Sequence, residues 1–185
     1  MKSTKGAMEM SVGTIVTIVL LMSVLVLGIF LIQNIFSGSQ DAVTAINDQV
    51  QNEINKLFSE EGKTVAIYPS SREVTVKKGD TPKGFAFSIN NKDVESHTFS
   101  YEVKAVSSFD FAGRCGSSMT EAKANSYILA PKGTVRLPAS SQMEIPEIVK
   151  FQIPDAATSC TIPYKLMIDD ENGPYQDVTV YVTIK

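Results

Sequence analysis

Val178-Thr179-Val180-Tyr181-Val182-Thr183-Ile184 alternates apolar and polar residues almost strictly. A period of two is the mark of a β-strand with one face in a core and the other in water. The same pattern recurs upstream in short runs: Thr64–Tyr68, Glu73–Lys77, Gly84–Asn90, Thr98–Val106, Ser126–Ala130, Thr134–Pro138, Ile148–Ile153 and Thr161–Asp169. Turn chemistry separates the runs at Lys78-Gly79-Asp80, Asn90-Asn91-Lys92-Asp93, Pro131-Lys132-Gly133 and Glu171-Asn172-Gly173-Pro174. Short strands so spaced, without helical periods between them, predict an antiparallel, immunoglobulin-like β-sandwich over residues 63–185. Ser107–Asn125 breaks the pattern and reads as a long excursion between strands, with Thr120-Glu121-Ala122-Lys123-Ala124 compatible with helix.

Upstream of the strands the period becomes helical. Residues 10–40 carry no charge, and Val12–Phe36 is mostly Ile, Val, Leu, Met and Phe. At about 1.5 Å per residue this core makes a helix of roughly 37 Å, enough for a ~30 Å hydrocarbon layer. Beyond Ser37-Gly38-Ser39 the pattern changes: Val43, Ile46, Val50, Ile54 and Leu57 form an amphipathic stripe at steps of three and four. Gly62 follows as a C-cap residue. The predicted fold class is therefore α+β. One long helix spans 7–60, apolar over 10–36 and amphipathic over 41–59, and leads into the sandwich. The stripe is expected to pack on the sandwich or on a second copy. Lys2 and Lys5 precede the apolar run, whereas Asp41, Asp48, Glu53, Glu60 and Glu61 follow it. That asymmetry places the N-terminus in the cytoplasm and the sandwich outside.

Composition narrows the chemistry. A formal net charge of −3 and a pI near 5.2 leave no basic footprint, so no nucleic-acid partner is expected. Cys115 and Cys160 are the only cysteines. In an oxidising compartment they are expected to form a disulfide; the alternative is two separate buried thiols. His97, the single histidine, has no neighbouring nucleophile motif, and a two-cysteine metal site lacks further ligands. Asp169-Asp170-Glu171-Asn172-Gly173 has ion-binding residue types but reads first as a hairpin turn centred on Asn172-Gly173. The expectation is a non-enzyme without cofactor or metal. No Asn-X-Ser/Thr sequon occurs. Glu9 sits just before the apolar run, where a carboxylate favours a helix N-terminus by about 0.3–1 kcal/mol.

Lys5-Gly6, then Ala7-Met8-Glu9-Met10-Ser11 and Val12-Gly13-Thr14-Ile15-Val16, resembles the class III signal peptide of archaeal type IV pilin-like proteins and archaellins. The resemblance covers roughly Lys5–Phe36. It implies a leader of residues 1–6, cut by a prepilin peptidase between Gly6 and Ala7. It also implies an extracellular or cell-surface filament of identical subunits, assembled from a membrane-held precursor, with adhesion, motility and uptake all open as its role. Glu9 would pair with a neighbouring subunit's amine, and Val12, Ile15, Val16, Val19, Leu20, Leu27 and Phe30 would pack the helix bundle. The alternative reading is a single-span, membrane-anchored, immunoglobulin-like binding protein outside the cytoplasm, a minor pilin or stator-like component or a surface-layer partner.

Overall fold

A computed structural model of the chain describes residues 12–38 and 46–185. The chain divides into two units, Met1–Ser39 and Gln40–Lys185.

The first unit contains helix α1 (Val12–Gly38), apolar along its length. Its side chains are described for residues 13–29. Among the described residues no helix is long and apolar enough to cross a membrane. The transmembrane span expected over Val12–Phe36 is therefore not found among the described residues. Lys5, Gly6, Ala7 and Glu9, with the expected leader, lie outside the described residues.

The second unit opens with helix α2 (Asp48–Glu61). The single helix expected through residue 60 is not one element. Asn47 is extended, with φ −132° and ψ 175°, and its Oδ1 accepts the Val50 N–H at 3.0 Å. Such a side-chain cap starts a new helix and satisfies one of its free amides. At the other end Gly62 takes the left-handed conformation, φ 59°, as a C-cap.

Nine strands follow: β1 (Val65–Tyr68), β2 (Glu73–Val76), β3 (Lys83–Ile89), β4 (His97–Ala105), β5 (Ile128–Leu129), β6 (Lys132–Leu137), β7 (Glu147–Phe151), β8 (Thr161–Asp170) and β9 (Gly173–Ile184). Short helices α3 (Phe111–Cys115) and α4 (Glu121–Asn125) lie between β4 and β5, within the predicted excursion. The strands build a mostly β, immunoglobulin-like sandwich. One sheet has the order β1-β3-β7-β5 and the other β2-β9-β8-β4-β6. The prediction of a purely antiparallel sandwich needs one change, because β2 runs parallel to β9, with Val74 opposite Val182. The chain leaves β1 in one sheet and enters β2 at the edge of the other, beside the last strand. The β8–β9 turn also differs: Asp170 faces Gly173, so the two turn residues are Glu171 and Asn172.

Alternation sorts the side chains into layers. Phe85, Phe87, Ile89, Val149 and Phe151 from one sheet meet Phe99, Val103, Ile162, Leu166, Val180 and Val182 from the other, all buried. Aromatic pairs bridge the sheets, Phe87–Tyr101 at 4.9 Å and Phe151–Tyr164 at 4.8 Å between ring centroids. The outer face of the four-stranded sheet is covered by α2. Val50, Ile54 and Leu57 of the predicted stripe are buried there against Ala66 and Ala86, with Ile46 packed at the margin. Small residues on β1 and β3 let the helix approach the sheet closely. Among the described residues of the second unit no helix covers the outer face of the five-stranded sheet in this way, and that face carries Thr179, Lys165, Lys104 and Thr134.

Candidate binding cleft

The excursion after β4 stays attached to the open sheet. The Val106 N–H donates to Pro163 O at 3.0 Å, continuing the β4–β8 ladder for one more bond. The chain then turns back, with the Phe109 N–H donating to Val106 O at 3.0 Å. Asp110 caps α3 through Oδ1, which accepts the Gly113 N–H at 2.9 Å. The last residue of α3, Cys115, is buried and bonded to Cys160, with Cα atoms 5.3 Å apart. Cys160 directly precedes β8, so the bridge pins the excursion to the sandwich. Tyr164 adds a second tie by donating its hydroxyl to Ala124 O at 2.9 Å.

Between the pinned excursion and strands β8 and β9 lies an open cleft of about 450 Å³. Phe109 and Val106 form one wall, Pro163 and Tyr181 the other. Ser108, Asp110, Arg114 and Thr161 supply its polar groups. Tyr181, 48% exposed, points from the polar face of β9. The Arg114 guanidinium lies 5.8 Å above the Phe109 ring, within cation–π range, and has no carboxylate partner among the described residues. Thr161 and Thr183 share a 2.8 Å hydroxyl–hydroxyl hydrogen bond at the cleft margin. Apolar walls with a few convergent polar groups are the usual make-up of a small-ligand site.

The expected site residues fall elsewhere. Ile15, Val16, Val19, Leu20 and Leu27 are exposed on α1. Val12 begins that helix and Phe30 lies within it, with their side chains outside the description. Of the site residues singled out in the sequence, Cys115 and Cys160 adjoin the cleft, next in the chain to its lining residues Arg114 and Thr161. His97 is at the start of β4, where its Nε2 lies 3.1 Å from Asp93 Oδ2. Among the described residues no group of three His, Cys, Asp or Glu side chains is placed to hold a metal. The cleft residues escaped the sequence pattern because Phe109, Arg114 and Tyr181 converge only in the fold. Tyr181 was the one available signal, a large aromatic on the polar face of an alternating strand.

No protein-family model and no curated protein matches the chain. Solved structures do. One is WR4, a member of the MSP family from C. elegans, at 8% identity, covering 66% of this chain and 99% of that one with a TM-score of 0.37. A PapD-like domain of human CEP192 matches at 8% identity, over 66% and 84% of the two chains, with a TM-score of 0.36. The periplasmic chaperone SfaE matches at 8% identity, over 65% of this chain and 56% of its own, also at 0.36. These neighbours are MSP and PapD-like immunoglobulin-like domains and chaperones, not type IV pilins. The pilin-family reading of Lys5–Phe36, with its class III leader and filament subunit, finds no support in these comparisons and is not carried further. At these identities and TM-scores nothing of the neighbours' activities is carried over to this chain.

Proposed function

We propose that the chain is a non-enzymatic, immunoglobulin-like binding module that works at the cell surface or outside the cell. The observation that carries this reading is the cleft beside Cys115–Cys160, where Phe109, Tyr181 and an Arg114 with no carboxylate partner among the described residues converge. A guanidinium without a carboxylate partner is a ready receptor for an anionic group, which it binds through a two-pronged fork. The rings of Phe109 and Tyr181 suit a flat, partly apolar face, and the hydroxyls of Ser108 and Thr161 suit hydroxyl groups. An acidic oligosaccharide has all three properties. The disulfide supports the location, because such bridges persist in oxidising surroundings and are rare in reducing ones. Binding fits better than catalysis because Asp110 is the single carboxylate lining the cleft and no histidine reaches it.

The test is amide chemical-shift mapping of the full chain during titration with an oligogalacturonate, with a neutral cello-oligosaccharide in parallel. Shifts gathered on Ser108–Arg114, Thr161 and Tyr181 with the acidic sugar alone are expected. Absence of shifts in that region would overturn the reading.

A further inference from the structure

Sheet edges offer unpaired backbone groups, and β6 is the longest edge in the sandwich. The other edges, β1, β2 and β5, are four, four and two residues long; β6 has six. Its register against β4 places Tyr101 opposite Gly133 and Phe99 opposite Val135. Just before β6 the Val103 N–H donates to Pro131 O at 2.7 Å, so Val103 and Pro131 are a hydrogen-bonded pair. Bonded pairs recur at every second position of an antiparallel ladder. Gly133, Val135 and Leu137 therefore turn their N–H and C=O groups toward β4. Lys132, Thr134 and Arg136 turn theirs outward, to the open edge. The three are exposed, and their side chains share the uncovered outer face of the sheet.

That row is basic at both ends. Neither Lys132 nor Arg136 has an ion-pair partner among the described residues. Glu102, opposite Lys132, is held by Lys104 at 2.8 Å. A second copy of this chain is a poor occupant. Antiparallel self-pairing about Thr134 would set Lys132 against Arg136 of the second copy, and like charges directly opposite destabilise a sheet.

From these placements, which are separate from the cleft, we infer that β6 is a docking edge for an extended acidic segment of another protein. The segment adds as a further antiparallel strand. Its backbone bonds to the outward groups of Lys132, Thr134 and Arg136, and its carboxylates pair with the two cations. Basic residues on an edge also deter unwanted pairing, and the experiment distinguishes the two roles. Amide hydrogen exchange is followed on the full chain, dispersed in a nonionic detergent. Two blocked peptides are compared, one alternating valine with glutamate and the other valine with lysine. With the glutamate peptide, exchange at Lys132, Thr134 and Arg136 is expected to slow about tenfold at low salt, while Gly133 and Val135, already bonded to β4, change little. Thr134→Pro removes an outward amide without removing a β4 bond and is expected to abolish the protection. Unchanged exchange at Val180 and Val182 would report an intact sandwich. Lys132→Glu with Arg136→Glu is expected to reverse the preference toward the lysine peptide. No slowing at the three amides, equal slowing by both peptides, or a double variant that keeps the glutamate preference would each overturn the inference.

Discussion

Gly133 illustrates how one residue can be set by a side chain on a neighbouring strand. A Cβ built there would lie 2.6 Å from the Tyr101 hydroxyl oxygen and 2.7 Å from the adjacent ring carbon. Tyr101 is buried, so its ring cannot simply swing aside. Gly133→Ala is expected to destabilise the sandwich by about 1–3 kcal/mol, the usual cost of overpacking, as read from urea unfolding. A variant with wild-type stability would show that the Tyr101 ring relaxes freely. Tyr101 also makes an alkaline prediction. Burial, and then the nearby Glu147 charge, push its phenol up to about 12 from 10.0. The folded state therefore prefers the neutral form. The contribution is intact below pH 10 and is lost as pH rises from 10 through about 12. Tyr101→Phe is expected to flatten that limb of a stability–pH curve, and an unchanged slope would assign the decline to other groups.

Among the elements, α2 is where packing is most easily tested. Ile54 is buried between the helix and Ala66 and Ala86, so Ile54→Ala is expected to cost about 2–5 kcal/mol in urea unfolding. A loss below that range would mean α2 contributes little to the sandwich. The stripe Ile46, Val50, Ile54 and Leu57 was legible because a period near 3.6 survives on any helix that buries one face. The break at Asn47 was not, because Asn interrupts no apolar period and its capping role exists only once Val50 turns its N–H toward it. Strand β6 was shortened in the sequence reading for a related reason. Pro131-Lys132-Gly133 has the composition of a turn, but Gly133 is in the strand to make room for Tyr101. The parallel β2–β9 pair was equally hidden, since alternation reports a strand's faces and says nothing of its neighbour or direction.

At the scale of the molecule, the covalent tie and the cleft belong together. The Cys115–Cys160 bridge closes a loop with a sequence separation of 45 and holds the excursion against β8. Replacing both cysteines with serine is expected to lower stability by about 2–4 kcal/mol and to loosen the cleft wall, seen as faster amide exchange at Phe109–Arg114. Unaltered exchange there would mean that the Val106–Pro163 and Tyr164–Ala124 bonds suffice to fix the wall. The central claim is recognition of an acidic sugar by Arg114 and Tyr181, and calorimetric titration tests it most directly. The full chain, Arg114→Ala and Tyr181→Ala are each titrated with oligogalacturonate. The account predicts measurable binding by the full chain and a loss of affinity of about tenfold or more in each variant, corresponding to roughly 1.4 kcal/mol. Both variants binding as tightly as the unaltered chain, or no binding by any of the three, would contradict it.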